Sequence, residues 1–223
     1  AIGCAIWETL IHRGRHIANC TVQCALYARE YGVAMNVAGG THHSFAHKGE
    51  GFCVFNDIAI ASNYLLNHGI AEKILVVDLD VHQGNGTAQI FQHDDRVFTF
   101  SMHGEKNYPH RKVPSDLDIG LPDGTEDGPY LKALREALPR LIDEVQPDQV
   151  FYLSGVDVIY SDKLGRLGLS LQGCRERDEF VLKTCKANNL PVAISMGGGY
   201  SERLAHIVEA HANTFRVAQE VYF

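Results

Sequence analysis

Short apolar runs alternate with longer amphipathic stretches along this chain. Five runs, Val33–Val37, Ile74–Leu79, Val97–Met102, Gln149–Leu153 and Val192–Met196, are mostly continuous rather than alternating, as in strands covered on both faces. The stretches between them predict helices. Ala18–Tyr31 and Asp57–His68 stop at Gly32 and Gly69, Tyr130–Val145 carries a kink at Pro139, and Arg175–Asn188 and Glu202–Val221 complete the set. Strand and helix alternate throughout, so the expected fold is α/β: a three-layer single domain, residues 1–223, with a mainly parallel sheet.

Polar residues gather just past these strands. GGTHHSF follows the first, DVHQGNG the second, SMHGEKNYP the third, SGVDVIYSD the fourth and GGGYS the fifth. Ligand sites of open parallel sheets lie at the carboxyl ends of the strands, so this distribution points to an enzyme. In the second loop Asp78, Asp80 and His82 occupy alternate positions, which an extended backbone projects to one face. Asp and His at this spacing can close on one zinc-like cation, and the following glycines are expected to turn the chain away and leave the site open. Asp157 stands where a neighbouring strand could deliver a third ligand; on its own it reads as an aspartate capping a turn.

His42 and His43 are adjacent, so both reach one site only if Gly39 and Gly40 bend the chain there. A histidine pair beside a metal suggests proton transfer. Most of the 12 histidines, including His12, His16, His68, His93, His206 and His211, read as surface residues. Tyr200 closes a triple-glycine turn, and its phenol can donate to a developing oxyanion. The same turn could cradle phosphate, but it lacks the lysine of a P-loop. Gly51-Phe52-Cys53 and Tyr108-Pro109 add aromatics near the loops.

Composition narrows the class. Hydrophobic content of 45% and charged content of 21% over 223 residues belong to a folded globular domain. A net charge of -7 argues against nucleic-acid binding through a broad basic surface, and no apolar run reaches membrane-spanning length. Six cysteines, Cys4, Cys20, Cys24, Cys53, Cys174 and Cys185, form no C-x-x-C pair. Free, buried or semi-buried thiols in a reducing compartment are expected, with the cytoplasm as the address.

Taken together, GGTHHSF, GFCVFNDIAIA, VVDLDVHQGNGT, the Asp157 loop running on through SDKLGRLGLS, and SMGGGYS resemble the zinc-dependent histone deacetylase family, whose fold is the arginase/deacetylase type. The match runs in order from about Ile2 to the C-terminus, and Gln83 and Asn85 stand where better-known branches carry His and Asp, a detail similar to the class IV branch. The resemblance implies that Asp80, His82 and Asp157 bind Zn2+, with Fe2+ as the alternative metal in vivo. It makes His43 the general acid/base, oriented by Asn85, and His42 its electrostatic partner, oriented by Asp78. Tyr200 would polarise the scissile carbonyl, while Phe52, Tyr108, Gly51 and Gly198 would line an acyl-lysine tunnel. A K+ ion is implied beside the site, at Asp78, Asp80, His82, Ser101 and Met102. The implied substrate is Nε-acyl-lysine in a protein or peptide. An acetylated polyamine or other small amide is the alternative, as is a non-catalytic acyl-lysine-binding fragment. Neither nucleic acid nor a membrane is an expected partner, and the sequence sets no oligomeric state. The chain opens at Ala1 well inside the family pattern, so the domain is expected to lack the family's N-terminal segment.

Overall fold

Strands β1 (Val33–Asn36), β2 (Ile74–Asp78), β3 (Val97–Gly104), β4 (Leu117–Leu121), β5 (Gln149–Leu153) and β6 (Val192–Ser195) form one sheet in the computed structural model, which describes residues 8–223. All pairings are parallel, in the order β1-β6-β5-β2-β3-β4. Helices α1 (Glu8–Tyr31), α2 (Asp57–Asn67), α3 (Asn85–Phe91), α4 (Asp127–Val145), α5 (Leu171–Ala187) and α6 (Leu204–Tyr222) cover it.

The continuous apolar runs of β2 and β5 are explained by their place: both lie mid-sheet and are buried at every position. Alternate residues feed two cores. Ile74, Val76 and Phe151 pack with Ala25, Ile58 and Leu65 of α1 and α2, whereas Leu75, Val77 and Tyr152 pack with Leu134, Val181 and Val217 of α4, α5 and α6. Each fully buried side chain of this kind contributes roughly 1.5–3 kcal/mol relative to exposure, so the two helical layers are fastened through the same central strands.

The sequence order reverses between β2 and β5. From β2 the chain passes to β3 on one side, and later returns through β5 on the other. Such a switch point opens a crevice at the carboxyl ends of the strands. The loops carrying Asp80 and Asp157 leave from this pair.

Two elements differ from the sequence expectation. β4 escapes the hydrophobic pattern because it is an edge strand, half-exposed and interrupted by Asp118 and Gly120. The glycines after His82 do not simply turn the chain away. Gly84 precedes α3, and Gly86 lies against the backbone of His42–Ser44, where a Cβ would stand 2.6 Å from the His43 carbonyl carbon. Boundaries also move: α1 already covers Glu8 to Ile17 ahead of the expected Ala18, α5 begins at Leu171 behind its Ser170 cap, and α4 continues through Pro139. His211 is buried on α6 rather than at the surface, and Cys20 is exposed rather than sheltered. Cys4 and Ile2 lie outside the described residues. Among the described residues no helix is long and apolar enough to cross a membrane.

Arg177 ties the central crevice together from below. It is fully buried, and its Nη1 donates to the carbonyls of Leu79 at 3.2 Å and Gly155 at 2.6 Å, one from each of the two central loops. Its charge is met by Asp178, which also accepts from Tyr152 Oη at 2.6 Å and Thr214 Oγ1 at 2.7 Å. Arg177→Met would leave Asp178 as an uncompensated buried charge. Breaking such a pair costs roughly 3–5 kcal/mol, and urea denaturation should show a loss of that size. A loss under about 1 kcal/mol would mean that the guanidinium is not a structural tie.

Candidate active site

The residues named above converge at the carboxyl end of the sheet. Asp80 and His82 follow β2, and Asp157 follows β5 across the crevice. His82 Nδ1 lies 3.1 Å from Asp80 Oδ1 and 3.2 Å from Asp157 Oδ2. Among the described residues this is the one cluster of three buried ligand types able to hold a metal ion, with its ligand atoms within 4.8 Å of one another. Each carboxylate is aimed by backbone amides: Asp80 accepts from His82 N at 2.9 Å and Gly198 N at 2.9 Å, and Asp157 Oδ1 accepts from Val81 N at 3.0 Å. Asp157 Oδ2 is buried without a hydrogen-bond partner.

These residues fit a divalent cation. Oxygen and nitrogen ligands about 2.0–2.1 Å from a tetrahedral zinc stand about 3.3 Å apart, close to the 3.1 and 3.2 Å separations here, and the Asp157 oxygen that faces His82 has no hydrogen-bond partner. The electrostatics agree. Burial and the neighbouring Asp80 carboxylate push Asp157 up to about 7. His82, although burial alone would lower it, is held up to about 10 by Asp157 and Asp80. Asp80, despite burial, is held low by His42 and His82. Two carboxylates and an imidazole thus share protons where a cation would satisfy all three.

Gly39 and Gly40 do bend the chain, at φ 89° and 74°, and both histidines face the same cavity. Their rings lie 4.1 Å apart. The bend is held by Asp57, at the start of α2. Its Oδ1 accepts from Thr41 N at 2.8 Å and Thr41 Oγ1 at 2.7 Å, and its Oδ2 from Gly40 N at 3.2 Å, Thr21 Oγ1 at 2.7 Å and Ser195 Oγ at 3.2 Å. His42 Nδ1 pairs with Asp78 Oδ2 at 2.6 Å, and His43 Nδ1 with Asn85 Oδ1 at 2.7 Å. These different partners separate the two rings. Burial opposes charge on His42, but Asp78 overcomes it and holds the ring up to about 9, while burial pushes Asp78 itself up. His43 is lowered to about 3 by burial and by the charged His42 beside it. At neutral pH one ring is protonated and the other carries a free lone pair.

The cavity measures about 580 Å3, and Phe52, Tyr108, Gly51, Gly198 and Tyr200 line it together with the histidines and the ligand cluster. Phe52 is held at φ 64°, a strained backbone for a bulky residue, with its ring exposed and 6.5 Å from that of Tyr200. The Tyr108 ring stands edge-on to His43 at 4.9 Å and 88°. The Tyr200 phenol is kept protonated by burial and by Asp80 and Asp157, and its backbone amide donates to Asp162 Oδ2 at 2.6 Å. Asp78 and Ser101 are register neighbours on β2 and β3, with Met102 beside them, and the Ser101 hydroxyl is paired with His103 Nδ1 at 2.9 Å. Gln83 points away, its amide donating to Val113 O at 2.7 Å and Asp118 Oδ1 at 2.9 Å.

Sequence reading missed Asp57, Arg177 and Glu50. Arg177 lies within the expected helix Arg175–Asn188, and its phase with buried Cys174 and Val181, at i−3 and i+4, is the signal that marks it as inward-facing. Glu50 sits in a loop where no periodicity applies, yet it accepts from Asn85 Nδ2 at 3.0 Å and Tyr108 Oη at 2.7 Å.

The family model described as histone deacetylase domain matches residues 2–215. An uncharacterized protein of Picosynechococcus sp. is 50% identical over 202 residues, covering 91% of this chain and 67% of that protein. Histone deacetylase 2 of Arabidopsis thaliana is 34% identical over 206 residues, 91% of this chain and 53% of its own length. A solved acetylpolyamine aminohydrolase from Burkholderia pseudomallei shares the fold, with a TM-score of 0.74 at 24% identity over 92% of this chain and 61% of that one. The chain therefore spans between about half and two thirds of the length of these three proteins.

Removing one ligand of three should empty the site. His82→Ala and Asp157→Ala are each expected to lose stoichiometric zinc by elemental analysis. Zinc binding by the intact chain should also release about one proton or more per ion at pH 7, because Asp157 near 7 and His82 near 10 must both deprotonate to ligate. Affinity should accordingly weaken as pH falls. Calorimetry in two buffers of different ionisation enthalpy measures the release, and none at all would remove these atoms from the coordination set.

Proposed function

This chain belongs to the histone deacetylase family, and we propose that it is a metal-dependent amide hydrolase acting on Nε-acyl-lysine in a protein or peptide. The observation that carries the reading is one cavity holding a buried Asp80–His82–Asp157 cluster, a histidine pair bound to a carboxylate and to an amide, and the Tyr200 phenol.

Asp80, His82 and Asp157 would hold the cation, zinc by the donor set, with Fe2+ able to take the same ligands. When bound it supplies Lewis acidity, polarising an amide carbonyl and lowering the pKa of a water toward ~7. His43, neutral and with one ring nitrogen free, takes the proton of the attacking water. The protonated His42, fixed by Asp78, keeps positive charge beside that transfer as negative charge develops on the substrate. The Tyr200 phenol donates to the oxyanion of the tetrahedral intermediate. His43 then returns its proton to the leaving nitrogen, so the amide C–N bond breaks to a neutral lysine amine and a carboxylic acid, whose remaining proton passes to the amine to leave carboxylate and ammonium. Phe52 and Tyr108 flank the acyl-lysine stem. Asp78, Asp80, His82, Ser101 and Met102 would provide the place for a K+ ion beside this site.

Cavity charge favours a lysine within a peptide over an acetylated polyamine. Apart from the ligand cluster and the His42–His43 pair, the charged residues lining the cavity are Lys106 and Arg166, with Asp123 pairing to both at 3.9 and 3.1 Å. A polyamine tail would bring further positive charge toward these cations. A like-charge contact near 4 Å costs about 1 kcal/mol even in water.

The purified chain, loaded with zinc, should therefore hydrolyse acetyl-lysine or longer-acyl-lysine peptides with kcat/KM about tenfold or more above acetylpolyamines. The reverse preference would replace the proposed substrate with the small amine. Absence of hydrolysis on all three, with stoichiometric zinc present, would leave only a binding function. Tyr200→Phe should retain metal and lose kcat on the order of 10²–10³, with little change in KM, because the deleted bond strengthens as charge develops. Unchanged turnover would place the phenol away from the reacting carbonyl.

A further inference from the structure

We propose that Glu50 is a positioning residue that sets the tautomer of His43 through the side-chain amide of Asn85. The inference deepens the reading of this site and rests on it.

The argument is one of donors and acceptors. The Glu50 carboxylate is in contact with three donors: Lys48 Nζ at 2.6 Å on Oε2, and Asn85 Nδ2 at 3.0 Å and Tyr108 Oη at 2.7 Å on Oε1. An ionised carboxylate can only accept, and although burial opposes its charge, these donors lower Glu50 to about 2. Asn85 must therefore present its NH2 to Glu50 and turn its carbonyl oxygen the other way. That oxygen lies 2.7 Å from His43 Nδ1. A carbonyl only accepts, so Nδ1 carries the ring proton and Nε2 keeps the lone pair needed by a general base.

An amide, unlike a carboxylate, has two unlike ends. Turned through 180°, Asn85 would donate to Nδ1 and stabilise the tautomer with hydrogen on Nε2, which cannot take up a proton there. A carboxylate at position 85 would orient the ring without help; an amide needs an external reference, and Glu50 supplies it. The neighbouring Gly51 lets the same loop press on the ring, since a Cβ there would stand 2.5 Å from His43 Cδ2. Tyr108, bound to the same Glu50 oxygen, holds the ring from its edge. One loop thereby fixes both the position of the imidazole and the location of its proton.

The test reads the tautomer directly. In the zinc-loaded chain labelled with 15N-histidine, the His43 signals are identified by their loss in His43→Ala, and the two neutral tautomers differ in nitrogen shift. Wild type should show hydrogen on Nδ1 alone. Glu50→Gln, which can donate or accept, should give a mixture, with kcat falling about two- to tenfold in proportion to the competent fraction and melting temperature little changed. The double variant Glu50→Gln with Asn85→Asp should return His43 to the Nδ1–H form and recover most of kcat, because an acceptor-only group at 85 needs no reference. A purely structural role for Glu50 predicts no such rescue. Hydrogen on Nε2 in wild type, an unaltered tautomer in Glu50→Gln, or failure of the double variant to restore it would overturn the proposal. Absence of turnover in wild type would instead overturn the proposed activity, while the spectra still decide the role of Glu50.

Discussion

Asp80 and Asp157 face one another, buried, at the ends of two adjacent strands, and the rest of the site follows from that confrontation. Taking two carboxylates out of water costs several kcal/mol per ion unless donors or a cation compensate. The fold supplies the donors from the backbone amides of Val81, His82 and Gly198 and leaves one oxygen of Asp157 unmet. A β-carbon on Gly198 would collide with the Asp157 carboxylate, so the glycine of the last loop is required by the same convergence. What remains unsatisfied is shaped for a cation.

Two buried networks keep this arrangement in place. Arg177 grips a carbonyl from each central loop from below, while Asp57 gathers the GGTHH loop, α1 and β6 around one carboxylate. Neither touches the ligand cavity. Both act on backbone, and so they set where Asp80, Asp157, His42 and His43 can point. Precision of this kind is what a metal and acid–base site needs, because reacting groups must be held within fractions of an ångström.

The histidine pair illustrates how neighbours divide labour. The rings are 4.1 Å apart and adjacent in the chain, yet one pairs with a carboxylate and the other with an amide. The carboxylate draws a proton to His42; that charge, with burial, keeps His43 neutral. Environments that push two pKa values apart assign acid and base roles without any change of residue type. The amide partner gains this neutrality but gives up the inherent direction of a carboxylate, which explains the value of an acceptor-only group behind Asn85.

The sequence by itself determined the layered architecture, because fully buried parallel strands demand continuous apolar runs, and it located the chemistry, because loops at strand ends are where polar residues can escape the core. Asp80, His82, Asp157, the His42–His43 pair and Tyr200 were legible as residue types at telling positions, and their family resemblance ordered them. Edge strand β4 and helix α3 were not legible, since one is half-polar and the other is opened by glycines that usually mark turns. Only the tertiary structure decided which strand sits beside which, and hence that Asp157 meets Asp80 across 76 residues of chain separating Val81 from its carboxylate. It also decided that Arg177 is buried rather than solvated and that Glu50 stands behind Asn85. Those facts depend on three-dimensional neighbours far apart in sequence, and a hydrogen bond between them leaves no period or composition to read.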